Sequence, residues 1–155
     1  MSSLPVKIAS VDAAIAQIGI THGPGPWYEI TQASVNAFAD ATDDHQWIHV
    51  DPERAASGPF GGPIAHGFLT LALIPKFLPE LFDLSAFSMA VNYGLNRVRF
   101  IAPVPVGAKL QATAEITAAG ELTDGELQIT FSVTITAEGA TKPSCVASFI
   151  ARQYA

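Results

Sequence analysis

Ala65-His66-Gly67-Phe68-Leu69-Thr70-Leu71-Ala72-Leu73-Ile74-Pro75-Lys76-Phe77-Leu78-Pro79-Glu80-Leu81-Phe82 is apolar nearly all the way round a helical wheel. Phe68, Leu69, Leu71, Leu73, Ile74, Phe77, Leu78 and Leu81 leave no polar stripe for solvent. A helix over 65–82 therefore has to be enclosed by the rest of the chain rather than laid on its surface. Pro75 and Pro79 each remove a backbone donor and crowd the preceding turn, which predicts a kink or a break near Ile74.

What encloses it follows directly in the sequence. The stretches 89–101, 108–118, 126–138 and 144–154 all have strand character, and the clearest sets Leu127, Ile129, Phe131, Val133 and Ile135 against Gln128, Thr130, Ser132, Thr134 and Thr136. A period of two puts one face on a core and the other toward water. Thr123-Asp124-Gly125 and Glu138-Gly139-Ala140 supply tight turns, so these strands pair antiparallel. A sheet with one apolar face and one very apolar helix combine most simply when the sheet curls around the helix. The fold class is thus α+β, an antiparallel sheet wrapped on a long apolar central helix.

Upstream, Val11, Ala14, Ile15 and Ile18 share a helical face that Gly19 can stop, giving a short helical extension over 11–20. The loop His22-Gly23-Pro24-Gly25-Pro26 leads into a first strand at Trp27-Tyr28-Glu29-Ile30. Thr31 then caps a helix carrying Val35, Phe38 and Ala39, whose end delivers Asp43 and Asp44. Asp51-Pro52 reads as a cap followed by proline at the first helical position, opening another short helix through Ala56. With no repeat, linker or low-complexity segment, the 155 residues are expected to form a single domain over 1–155 with its core at about 27–150.

Composition bounds the partners. Hydrophobic residues make up 49% and charged residues 14%, too few polar groups to cover a monomer, so a buried subunit interface and a homo-oligomer are expected. A net charge of −6 without any basic run argues against nucleic acid. The lone Cys145 excludes an internal disulfide framework, and its apolar setting makes it a packed residue rather than a nucleophile. The N-terminus lacks the layout of a signal peptide and no apolar run is long enough to span a membrane, so a cytoplasmic protein is expected.

The chemistry-bearing residues cluster in Asp43-Asp44-His45-Gln46-Trp47-Ile48-His49-Val50-Asp51 and in Ile64-Ala65-His66-Gly67. A carboxylate and an imidazole that converge on one water can move a proton on and off it near neutral pH, which singles out Asp44 and His49. Asp43 is read as a helix-end residue. His45 and His49, four apart, or Asp44 and Asp51 would suit a metal. However, the residue before Pro52 is driven to an extended conformation and the helix signals begin at Asp51, so positions 45 and 49 need not share a face, and no metal is expected. His22 has no evident partner. Arg97 and Arg99 lie two apart on a strand and face one side, a spacing suited either to clasping phosphates or to a solvated strand face.

Phe38 to Asp51, with the Asp44-to-His49 spacing, resembles the hydratase-2 motif of the MaoC-like (R)-specific enoyl-CoA hydratase family. Gly62-Pro63-Ile64-Ala65-His66-Gly67 and Asn92 to Phe100 are also similar to that family, so the likeness covers roughly residues 27–150. The resemblance implies a hotdog fold, a coenzyme A thioester substrate, and neither metal nor redox cofactor; a homodimer joined through the edge strands is expected because an isolated curled sheet would leave backbone donors and acceptors unpaired. It implies that Asp44 and His49 bind the catalytic water and that the backbone N–H of Gly67 holds the thioester oxygen. Among substrate contacts it points to His66, more a holder of its loop than a proton carrier, and to Asn96 and Arg97. Many members have Asn-Pro where this sequence has Gln46-Trp47, and Trp47 is placed with the acyl pocket, which it would narrow or reshape. The implied reaction is (R)-specific hydration of trans-2-enoyl thioesters, reversible as a dehydration. A hotdog acyl-CoA thioesterase and a non-catalytic acyl-binding protein are the competing readings. The first needs a carboxylate aimed at the carbonyl carbon, and the second does not require both Asp44 and His49.

Overall fold

A computed structural model describes residues 5–123 and 125–155. In sequence order its elements are β1 (Val6–Lys7), α1 (Val11–Ile15), β2 (Thr21–His22), β3 (Tyr28–Glu29), α2 (Gln32–Thr42), α3 (Trp47–Val50), α4 (Pro52–Ala56), α5 (Gly67–Ala72), α6 (Ile74–Leu81), β4 (Phe82–Asp83), β5 (Met89–Phe100), β6 (Lys109–Glu121), β7 (Leu127–Ala137) and β8 (Cys145–Tyr154). Side-chain caps fix several of these starts. Ser10 accepts from Ala13 N–H, Thr31 from Ser34 N–H and Asp51 from Arg54 N–H, each at 3.0–3.1 Å.

The main sheet has six strands in the order β2-β6-β7-β8-β5, with β3 also on β6, and its long pairings are all antiparallel. In β7 the expected alternation is complete in burial: Leu127, Ile129, Phe131, Val133 and Ile135 are buried while the intervening polar residues are only half-buried. Their inner face packs on Phe77, Leu81 and Phe82, and full burial of each such residue adds about 2 kcal/mol of stability. The hairpin between β6 and β7 closes with Leu122 N–H donating to Glu126 C=O at 3.0 Å. Of the turn expected there, Asp124 lies outside the described residues. The short β1–β4 pair, parallel and two residues long, has too little pattern for sequence to reveal it. At Gly23 the backbone passes so close to β6 that a Cβ would sit 2.8 Å from Ala112 O, which is why β2 and β3 can share that edge.

The apolar segment breaks next to Pro75, whereas α6 carries Pro79 inside it without ending there. α5 stops at Ala72, Leu73 (φ −80, ψ −7) forms the joint, and Pro75 sits in the first turn of α6, where a missing N–H costs nothing. Enclosure is less complete than expected, because the sheet stays open. Phe68 is 67% exposed and lies edge-on against Phe100 of β5, the last strand, with no further wall beyond it. Among the described residues no helix is long and apolar enough to cross a membrane.

Candidate active site

Three segments meet at one end of this core. The first is the end of α2, where Asp43 takes a left-handed conformation (φ 60, ψ 23) and turns the backbone out of the helix, leaving Asp44 next in line. The second is α3, a single turn tied back to α2 by Gln32 Nε2, which donates to His49 C=O at 2.7 Å. The third is the loop 63–66, threaded between its neighbours. Ile64 N–H donates to Ile48 C=O at 2.9 Å, Ala65 N–H to Val104 C=O at 2.8 Å and Val106 N–H to Pro63 C=O at 2.9 Å. Backbone bonds fix the loop 63–66, and the Gln32 side chain fixes α3.

His49 is buried, and its Nδ1 lies 2.7 Å from Ile64 C=O. A carbonyl only accepts, so Nδ1 carries the proton and Nε2 keeps its lone pair in the neutral ring. By the same logic His66 Nε2 donates to the backbone carbonyl of Asp44 at 2.9 Å. The two imidazoles stack with centroids 3.8 Å apart and planes 23° apart, and Phe38 tilts against His66 at 4.9 Å. One carboxylate oxygen of Asp44 and one ring nitrogen each of His49 and His66 lie within 4.8 Å of one another. That spacing lets a single water bond to more than one of them. It would also suit a cation, though each ring already spends one nitrogen on a backbone carbonyl. The Asp44 side chain is 52% exposed, so the trio has one wet side and one dry side.

On its dry side the site opens into a cavity of about 290 Å³ lined by His49, Gly67, Phe60, Ile64, Phe100 and Ile101, among others. Gly67 is the first residue of α5, where a backbone N–H has no partner within the helix. Its lack of a side chain has a specific cause: a Cβ would meet the Phe100 ring at 2.8 Å. Sequence reasoning assigns the glycine to close approach of a ligand, whereas in the fold an aromatic ring fills that space.

The remaining sequence candidates are dispersed. Trp47 is absent from the lining of the His49 cavity. Its ring packs on Gly58 and carries the Arg54 guanidinium at 4.4 Å. Asn96 sits at a register shift of β5, its Nδ2 donating to Ser148 Oγ at 3.4 Å. Arg97 and Arg99 line a second cavity of about 380 Å³ with Ser132, Val146 and Ser148, and the two cavities share Ile101. His45 is turned away to Asp40 (2.8 Å) and Asp43 (3.4 Å), and the hydrogen bond its ring donates to the Asp40 carboxylate raises its pKa above the ordinary histidine value. His22 has a partner after all, Gln17 Oε1 at 2.9 Å, and meets Phe82 edge-on. Burial pushes the Cys145 thiol up to about 11. Sequence reasoning missed the stacking of His66 on His49, and it missed Thr70 and Ser144, two buried hydroxyls on the His49 cavity. The signal for Thr70 was present, a lone polar residue in an apolar run.

Comparison with known proteins places this arrangement. The family model described as "MaoC like domain" matches residues 14–138. The 3-hydroxyacyl-thioester dehydratase Z of Mycobacterium tuberculosis is 52% identical over 146 residues, covering 94% of this chain and 97% of that protein. The (R)-specific enoyl-CoA hydratase of Aeromonas caviae is 35% identical over 89 residues, covering 57% of this chain and 63% of that protein. The solved (R)-hydratase from A. caviae superposes with a TM-score of 0.67 at 25% identity, covering 86% of this chain and 94% of the other. An antiparallel sheet curled on a helical core, the same overall shape as that hydratase, and a family match over most of the length agree on one assignment. The chain belongs to the MaoC-like dehydratase family, hydro-lyases built on the hotdog fold.

Proposed function

We propose that this protein adds water reversibly across the double bond of trans-2-enoyl-CoA thioesters, giving (R)-3-hydroxyacyl products, with Asp44 and His49 holding the water. The observation that carries the reading is the tautomer of His49. With Nδ1–H committed to Ile64 C=O, Nε2 keeps a free lone pair on a buried ring that is beside the Asp44 carboxylate and on the wall of the apolar cavity. In hydration, Nε2 accepts a proton as the water oxygen attacks the β-carbon, and the pair returns a proton to the α-carbon on the same face. Dehydration is the reverse. Negative charge builds on the thioester oxygen, and the N–H of Gly67, without a partner among the described residues, is a preorganised donor for it. Removal of one such donor typically costs about 3 kcal/mol of barrier.

The names of the relatives support the same reading: a 3-hydroxyacyl-thioester dehydratase and an (R)-specific hydratase. Arg97 and Arg99, in the cavity adjoining at Ile101, would meet the phosphates of coenzyme A. The active form in this reading is a homodimer joined along β5. Incubation with crotonyl-CoA should bleach the enoyl absorbance without releasing free thiol. A coupled S-specific 3-hydroxyacyl-CoA dehydrogenase should register nothing. Thiol release would assign a thioesterase, inertness a binding protein, and efficient S coupling would refute the stereochemistry.

A further inference from the structure

The imidazole of His49 is carried by α3, a single turn that cannot hold itself. Its four residues are far below the ~12 that a helix needs to persist in water on its own, and Gln46 at the cap position offers no side-chain bond. Its carbonyls are therefore taken up one by one. Gln46 C=O accepts from His49 N–H at 2.9 Å, Trp47 C=O from Asp51 N–H at 3.1 Å and Ile48 C=O from Ile64 N–H at 2.9 Å. The carbonyl of His49 itself is the exception, because its partner is a side chain: Gln32 Nε2, 17 residues upstream, at 2.7 Å.

Gln32 is the first residue of α2, and its amide nitrogen has two hydrogens to give. Both are committed. One goes to His49 C=O and the other, at 2.9 Å, to Asn36 Oδ1 one turn along the same helix. A carbonyl only accepts, which fixes the end of the Gln32 amide that faces His49 and makes Oδ1 the atom of Asn36 that receives the second bond. The Gln–Asn pair at i and i+4 holds the long side chain in place, so the donor is set before substrate arrives. α2 is anchored in turn by Val35 and Ala39, both fully buried. Neither Gln32 nor Asn36 lines the His49 cavity, so any effect on the reaction has to pass through His49. Three attachments then set where Nε2 points: Gln32 on the His49 carbonyl, Ile64 C=O on Nδ1 at 2.7 Å, and the His66 ring against the imidazole face at 3.8 Å. The last two act on the ring, the first on the main chain from which the ring hangs.

We propose that Gln32 is a positioning residue for the hydration, its amide holding the His49 main chain so that Nε2 stays directed at the water, and that Asn36 holds Gln32 in turn. This rests on the enoyl-thioester reading above, in which His49 Nε2 accepts the proton. A displacement of about 1 Å at a catalytic group can cost ~100-fold in rate, and the loss of one attachment among the three is expected to cost about 10-fold.

Wild type, Gln32→Ala, Gln32→Glu, Asn36→Ala and Asn36→Asp are assayed on crotonyl-CoA, with melting temperatures taken alongside. Gln32→Ala and Gln32→Glu should each lower kcat about 10-fold with KM within about twofold of wild type, while the melting temperature falls by only about 2–4 °C. Gln32→Glu separates bonding from packing, because the carboxylate keeps the shape and reach of the amide but can only accept. Asn36→Ala should show a smaller loss, and Asn36→Asp, which keeps the acceptor, should retain wild-type kcat. Wild-type kcat in Gln32→Glu overturns the proposal. So does a rise in KM with kcat unchanged, which would place Gln32 in substrate binding. If the Gln32 variants do not fold, the Asn36 pair decides, and equal kcat in Asn36→Ala and Asn36→Asp overturns it. Should wild type hydrate no enoyl-CoA, the parent reading fails, and nitrogen-15 NMR of the His49 ring still decides the positioning role. Exchange of the Nδ1 proton with water at least ~10-fold faster in Gln32→Glu than in wild type upholds it, and equal exchange overturns it.

Discussion

In the proposed hydration Asp44 and His49 would divide the work by their surroundings: the carboxylate is half-exposed, and the imidazole is buried with its donor nitrogen locked to a carbonyl. With both addressing one water, as proposed, their losses should not add. Asp44→Asn and His49→Gln are each expected to lower crotonyl-CoA turnover by at least ~100-fold with the circular dichroism spectrum intact, and the double variant should be little worse than either. His45→Ala should leave turnover alone, since His45 faces Asp40 and Asp43 instead. Near wild-type turnover in Asp44→Asn, or loss of wild-type activity on adding a chelator, would replace the water pair with another mechanism. Cys145, with its thiol pushed up to about 11 by burial, should resist alkylation at pH ~8 in the native protein and react only after unfolding. Rapid native labelling would contradict the burial. At this scale the Asp44-to-His49 spacing was legible because both residues lie in one short stretch. The stacking of His66 on His49 was not, because a loop 22 residues beyond Asp44 in sequence has to fold back to create it.

Elements were legible where their pattern is long and their breakers are strong. The strand of alternating Leu127 to Ile135 and the proline break at Leu73 both follow from local rules. The exposure of Phe68 does not, since it depends on which strand ends the sheet, a property of pairing order that periodicity cannot encode. The start of α5 joins the two levels. Gly67→Ala would drive a methyl to within 2.8 Å of the Phe100 ring, so it is expected to cost about 1–3 kcal/mol of stability by overpacking and to shift the Gly67 N–H as well. Trimming the ring in Gly67→Ala/Phe100→Leu should relieve the clash relative to Gly67→Ala alone, read as a recovery in melting temperature. No difference between the two would show that the ring yields without strain. The end of α2 gives a second case. Asp43 holds φ 60, so Asp43→Gly should be neutral or stabilising, whereas Asp43→Val should destabilise by about 1 kcal/mol or more in chemical denaturation.

For the whole molecule, the unfinished part is β5. Among the described residues it ends the sheet and bonds to β8 alone, which leaves one edge of its backbone unpaired, and Met89, Val91, Tyr93 and Leu95 are all exposed along it, Tyr93 by 53%. Phe100 and Ile101, which also line the His49 cavity, are exposed farther along, beyond Asn96, Arg97 and Arg99. A long apolar edge of this kind is an aggregation hazard unless something pairs with it. Composition points the same way, with 49% hydrophobic and 14% charged residues. A second copy meeting β5 by a two-fold axis would continue the sheet antiparallel across the pair, bury both apolar rows at once and close the open side of the cavity at Phe100. The expected species is therefore a dimer, twice the 16.3 kDa protomer, by light scattering at micromolar protein. Tyr93→Asp with Leu95→Asp places like charges on that edge, where pairing would bring them together and bury them, and should shift the species toward monomer. Because Phe100 and Ile101 belong to both the edge and the cavity, that monomer should also lose crotonyl-CoA hydration although Asp44, His49 and Gly67 are untouched. A wild-type monomer, or a charged variant that stays dimeric and active, would place the interface elsewhere or remove it.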